Sequence, residues 1–124
     1  MRNTLLSPKA HGVLDYALAT SLLVLPSLFG FSRKVRKVYA AEGVVLLTYV
    51  GLTEHPAAVR PLIPFWLHGK IDPYNIGQFT LQTFLPPFRE DGKVQLFNVL
   101  FTVAAGGVVA FTDWSRSPAG STAG

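Results

Sequence analysis

Apolar and polar positions along this chain fall in long blocks. Residues 16–32, 73–88 and 94–112 contain no Asp, Glu, Lys or Arg, and residues 38–53 contain only Glu42. A helix needs about 20 predominantly apolar residues to cross a hydrocarbon core, so the four blocks predict four spans. Val13 to Phe31 and Val94 to Phe111 meet that length cleanly. The second block, about Val38 to Leu52, is short and carries Glu42. The third, after Asp72, is diluted by Asn75, Gln78, Thr80, Gln82 and Thr83, and is predicted mainly from an internal repeat. The alternative is a soluble four-helix bundle with an unusually apolar surface, since short apolar segments also build core helices.

Local signals set the boundaries. Ser7-Pro8 reads as an N-cap followed by proline at the first helical position, and Gly30 as a helix end. A basic turn, Ser32 to Lys37, leads into helix 2, which is predicted to end near Glu54-His55-Pro56. Pro26 and Pro86 fall inside predicted spans, where neighbours can satisfy the freed carbonyl, so both are expected to kink their helices. Asp72-Pro73 permits either a helix start or a kink in a helix that begins earlier. Ala104-Ala105-Gly106-Gly107 predicts a flat face for close helix approach.

The blocks belong to a duplicated unit. His11-Gly12-Val13-Leu14-Asp15 returns as His68-Gly69-Lys70-Ile71-Asp72, 57 residues later, and Leu52-Thr53-Glu54 is echoed by Phe111-Thr112-Asp113 at an offset of 59. A weaker echo links Leu25-Pro26-Ser27-Leu28-Phe29 to Leu85-Pro86-Pro87-Phe88. Signals in one order at nearly constant offset mark a repeat. The predicted architecture is therefore all-α: a four-transmembrane-helix bundle made of two tandem helical hairpins. Repeat one covers about 7–56 and repeat two about 64–114 of a single membrane domain (1–114), with a flexible tail over 115–124. Two helices per repeat bring both repeats into the membrane from the same side, which puts the pseudo-two-fold axis along the membrane normal.

Composition supports lipid as the surroundings. Charged residues make up 15% of the chain, against about 25% in ordinary soluble domains. The net charge of +4 does not suggest nucleic acid, because the basic residues are split among loops and the aromatics lie within apolar runs; anionic headgroups are the expected counter-charge. Absence of cysteine excludes disulfides, thiolate zinc sites and thiol catalysis. Val38-Tyr39-Ala40 resembles a signal cleavage site, but the basic cluster Arg33, Lys34, Arg36 and Lys37 follows the apolar run instead of preceding it, so helix 1 is predicted to stay uncleaved. That cluster places both termini outside the cytoplasm.

His11 and Asp15, like His68 and Asp72, are spaced i, i+4 and share a helix face. One reading is structural: each His orients its Asp near a helix N-terminus, and Gly12 and Gly69 admit a neighbouring backbone. The sharper reading makes His11 and His68 cofactor ligands, with haem the group considered and the aspartates orienting each ring. A metal held by both pairs ranks below haem, and spacing alone assigns no metal site. Glu42 needs a partner, either the nearby basic cluster or a proton relay. Asn75, Gln78, Gln82, Gln95 and Asn98 supply interhelical hydrogen bonds or line a polar transport cavity. Nothing in the serines, glycines or histidines forms a catalytic constellation, so no enzyme is expected.

Several of these segments resemble the SPW-repeat family of small bacterial membrane proteins. The resemblance rests on His11-Gly12-Val13-Leu14-Asp15-Tyr16, Pro26-Ser27-Leu28-Phe29-Gly30-Phe31, Thr53-Glu54, Arg60 with Ile63-Pro64, and His68 with Asp72. The family's Ser-Pro-Trp stands here as Leu25-Pro26-Ser27 and Leu85-Pro86-Pro87. It implies a multi-pass protein of the bacterial inner membrane and no particular activity. The expected role is thus structural or interactive within the bilayer, alone, with a membrane-protein partner or as a homo-oligomer. The alternative is binding of a haem-like cofactor, or transport of a small solute or protons, through the paired His-x-x-x-Asp motifs.

Overall fold

Ser7 caps the first helix as its position before Pro8 predicts: the Oγ accepts from the Ala10 N–H at 3.1 Å, and proline occupies the first turn. A computed structural model describes residues 5–117; residues 118–124 of the predicted tail lie outside that range. Within it the chain forms α1 (Pro8–Leu28), α2 (Arg33–Gly51), α3 (Phe65–Gln82) and α4 (Gly92–Ala110), with a short 3-10 turn at Phe88–Glu90 before α4. No strand occurs among the described residues. The four-helix, all-α expectation holds at that level. Two of the helices, α1 and α4, are long and apolar enough to cross a membrane.

Helix ends follow local chemistry. Gly30 has φ +68, the left-handed conformation that costs glycine least. It lets the Phe31 N–H donate to Pro26 O and its own N–H to Ser27 O, the paired bonds that close a helix C-terminus. Pro26 thus lies inside α1, in its last turn. The expected kink at Pro86 is not made, because α3 stops at Gln82 and Pro86 falls in the following turn. Pro73 is carried inside α3, which begins at Phe65, so His68 and Asp72 belong to one continuous helix. Helix 2 ends at Gly51, a few residues before the predicted Glu54-His55-Pro56 boundary.

α1 and α2 lie closest together. Ala19 is fully buried, and a Cβ added at Gly43 would stand 3.0 Å from Ala19 O. At offsets of 57 and 59 from Ala19 and Gly43 the chain carries the larger Ile76 and Thr102, and α3 and α4 pack less extensively. The close approach expected at Gly106 and Gly107 is not made among the described residues, none of which comes within 4 Å of a Cβ at either.

Two isolated bridges close the bundle at the end that carries both described termini. Leu6, before α1, pairs with Thr112, after α4; Ile63, before α3, pairs with Thr53, after α2. Each hairpin's entry is thereby tied to a hairpin exit. At the opposite end, Leu22, Phe31, Val35, Tyr39, Phe88 and Val94 form an apolar core. Buried Gln82, Thr83 and Asn98 lie beside this core, and the paired histidines and aspartates lie at the other end, beyond Leu18 and Phe79.

Candidate metal centre

Each repeat histidine is the fourth residue of its helix and each repeat aspartate the eighth, in α1 and in α3 alike. Spacing of i, i+4 puts each pair on one face, and the two bridges turn those faces toward each other. His11 Nε2 lies 2.9 Å from Asp15 Oδ2, and His68 Nε2 lies 3.1 Å from Asp72 Oδ1. The cross-repeat contacts are as short: His68 Nε2 to Asp15 Oδ2 is 3.1 Å, His11 Nε2 to Asp72 Oδ2 is 3.4 Å, and the two Nε2 atoms are 3.3 Å apart. Four side chains that the spacing grouped in two pairs form one cluster. Both imidazoles are buried, and the Asp15 carboxylate is the more open of the two, 20% exposed against 10%.

Hydrogen bonds on the far side of each ring fix its tautomer. His11 Nδ1 sits 2.7 Å from Thr112 Oγ1, and His68 Nδ1 sits 2.7 Å from Thr53 Oγ1. Each threonine hydroxyl already donates to a carbonyl one turn back, Thr112 to Val108 O and Thr53 to Tyr49 O. A hydroxyl carries one hydrogen, so each Oγ1 accepts from Nδ1–H. Both Nε2 lone pairs then face the centre together with two carboxylates. Four acceptor groups at this separation repel one another unless positive charge lies among them, either protons on the imidazoles or a cation.

The geometry suits a cation. A tetrahedron with metal–ligand bonds of about 2.0–2.1 Å has edges of about 3.3 Å. Asp15 Oδ2 and the two Nε2 atoms form one face with edges of 2.9, 3.1 and 3.3 Å, and Asp72 closes on it with a different oxygen toward each ring, at 3.1 and 3.4 Å. All four ligand groups lie within 4.8 Å of one another. Threonine behind each imidazole is the outer partner that fixes a metal-binding ring's orientation. Haem between His11 and His68 does not fit. Trans ligands on one iron need nitrogens about 4 Å apart, with the porphyrin plane between them, where this centre has Asp15 and Asp72.

Aromatic groups wall the centre. Tyr49 stacks on His68 at 4.1 Å between ring centroids, and its hydroxyl donates to His68 O at 2.9 Å and lies 3.3 Å from Asp72 Oδ1. Trp114 lies 4.9 Å from the His11 ring and 4.8 Å from Phe65. The repeat glycines are explained here. A Cβ at Gly12 would stand 2.4 Å from His55 Nδ1, and one at Gly69 would stand 2.7 Å from the Trp114 ring. Rings, not the expected backbone, approach these glycines. His55 is held neutral: burial keeps it below the usual histidine range, while Nε2–H donates to Val50 O and Nδ1 accepts from Ala57 N–H. Gly12→Ala is expected to destabilise the protein by about 1–3 kcal/mol through overpacking, read as a lower Tm of the protein in detergent.

The other polar residues do not join the centre. Glu42 accepts from Gln78 Nε2 at 2.7 Å and Gln82 Nε2 at 3.3 Å, so its partners are amides on α3 and not the basic cluster. Gln82 continues to Asn98, whose Oδ1 also accepts from Tyr39 Oη at 2.8 Å. Asn98 Nδ2 in turn donates to Phe79 O and Thr83 Oγ1. Gln78, Gln82 and Asn98 therefore serve interhelical hydrogen bonding. Asn75 alone of this group lines a cavity next to Asp15 and Asp72.

Thr53, Thr112, Tyr49 and Trp114 are parts of the site that spacing within each His-Asp pair does not single out. A signal for the threonines exists, since Thr53-Glu54-His55 and Thr112-Asp113-Trp114 share the repeat offset. No family model, curated protein or solved structure matches this chain.

Proposed function

We propose that this chain is a four-span membrane protein of the bacterial inner membrane, and that its working part is a divalent-metal centre made by His11, Asp15, His68 and Asp72. The observation that carries the metal assignment is the convergence of two threonine-oriented imidazoles and two carboxylates, with one ligand atom from each within 4.8 Å of the others. Two imidazoles with two carboxylates suit zinc, iron(II) or manganese(II), and two carboxylates neutralise a divalent charge.

Several features support the membrane reading. Only 28% of the α1 span window and 17% of the α4 window is buried inside the bundle, whereas the core helix of a soluble protein is mostly buried. Val24, Val45, Leu81 and Leu100, one from each helix, face outward. Trp66 and Tyr74 are exposed near the site's end of the bundle, and the Lys70 ammonium lies 5.9 Å from the Trp66 ring centroid, an arrangement suited to a headgroup layer. The reciprocal ties Leu6–Thr112 and Thr53–Ile63 are what a pseudo-two-fold axis along the membrane normal would produce. With both termini outside the cytoplasm, the centre lies near the outer leaflet, two helical turns deep.

A second reading follows from the same distances. Protons on the imidazoles also hold the four groups together, and the cluster is then a structural clasp joining the hairpins. Metal analysis of protein purified in mild detergent without chelator separates the two. The metal reading expects about one ion per chain, by analogy with a closed four-ligand site, and intense tetrahedral cobalt(II) bands after substitution. The clasp reading expects neither, with a Tm indifferent to chelator. Resistance to extraction from membranes by alkaline carbonate tests the spans separately.

A further inference from the structure

A cavity of about 50 Å³ lies directly inward of the centre, toward the apolar core. All four helices contribute apolar wall, through Leu18, Leu46, Phe79 and Phe101. Its polar end is formed by Asp15 and Asp72 with Tyr49 and Asn75, while neither histidine lines it. The imidazoles therefore bound the centre on one side, and the carboxylates stand between the metal position and the cavity.

The two carboxylates are not held equally. Asp72 has the Tyr49 hydroxyl beside Oδ1 in addition to the imidazoles, and is the more buried. Among the described residues Asp15 has only the two imidazoles as partners. Asp15, which presents the single oxygen Oδ2 to both rings, is thus the ligand free to swing, and its movement opens a coordination position that faces the cavity.

Size and charge define what enters. A water-sized molecule needs about 10–15 Å³ by this kind of measure, so the space holds a ligand of only a few heavy atoms. Two carboxylates at its mouth and no cation among its lining residues disfavour anions. Apolar walls disfavour strongly hydrated molecules, and a cavity embedded in a membrane fills from the lipid, where neutral diatomics concentrate.

Resting on the metal reading above, we propose that this cavity is the exogenous-ligand site of the centre. It delivers a small uncharged diatomic, of the size of dioxygen, to the metal on the side guarded by Asp15. Binding forms one bond between an iron(II) ion and the diatomic, with the iron itself supplying the electron density that passes to the ligand, and loosens one carboxylate bond; no external reductant or proton is required.

The test uses the full chain in detergent, loaded with iron(II) without air and titrated with nitric oxide as the neutral diatomic probe. Wild type is expected to give the half-integer-spin resonance of an iron–nitrosyl, with one iron per chain. Ala105→Leu fills the cavity and is expected to keep its iron but to bind nitric oxide roughly 10-fold more weakly or worse. Ile76→Ala enlarges the cavity from another helix and is expected to bind nitric oxide at least as well as wild type, so the test does not depend on Ala105→Leu folding. Iron bound without any nitrosyl overturns this inference and leaves the metal centre standing. Equal nitrosyl formation in wild type and a folded Ala105→Leu also overturns it, because the ligand then reaches the metal by another route. Failure to bind any metal removes both.

Discussion

His68→Ala is expected to empty the centre of metal and to weaken the whole bundle. The His68 ring is fully buried, stacks on Tyr49, and contacts Asp15, Asp72 and His11. Its loss removes one of four ligands, an effect larger than the roughly 10–100-fold fall in affinity that follows loss of an outer partner. It also leaves two carboxylates sharing a single imidazole. Breaking a buried ionic cluster by removing one member costs about 3 kcal/mol or more. Metal content per chain should drop to background, and Tm in detergent should fall even in chelator. His11→Ala, at the equivalent position, should reproduce both effects. A His68→Ala protein that kept wild-type metal content would remove the centre as assigned. Lowering the pH should release the ion from wild type, because protons compete for both Nε2 lone pairs and both carboxylates.

Thr53→Val and Thr112→Val should separate metal affinity from folding. Valine keeps the volume of threonine but cannot accept from Nδ1–H, so each substitution frees one ring to rotate or change tautomer. Thr112→Val acts on His11, and Thr53→Val on His68. Loss of an outer partner costs roughly 10–100-fold in metal affinity, and a buried Nδ1–H left without an acceptor costs about 1–3 kcal/mol. The double variant is expected to approach the product of the single losses, since the threonines act on different rings. Cobalt(II) competition titrations measure this directly. Unchanged affinity in both single variants would mean that the imidazoles are oriented by packing alone. The threonines are a sharper probe than the ligands, because a structural clasp that never bound metal would show only the loss of stability.

Much of the fold was legible from short-range patterns. The Ser7 cap, Pro8 at the first turn, the Gly30 stop and the i, i+4 His-Asp spacing act within one or two helical turns, so neighbouring residues suffice to read them. Boundaries set by tertiary contacts were read less well. Helix 2 was expected to run on to Glu54-His55-Pro56, but the backbone leaves α2 at Gly51, where Val59 and Arg60 donate to Gly51 O and Leu62 and Ile63 to Leu52 O. Helix 3 was expected to contain Pro86, and stops at Gln82. For Glu42 the sequence offers the nearby basic cluster or a proton relay, whereas its partners Gln78 and Gln82 come from a helix some forty positions away.

The duplicated pentapeptide, by itself, determined that each repeat presents a histidine and an aspartate on one face near the start of a helix. Helical periodicity and capping are local, and they act identically in both copies. Only the tertiary structure decided that the two faces meet. That outcome depends on Leu6 lying beside Thr112 and Thr53 beside Ile63, contacts that bring the end of each hairpin to the start of another and deliver the threonines behind the rings. Spacing within either copy carries no information about the distance between copies, so two plausible hydrogen-bonded pairs became one four-ligand centre when the bundle closed.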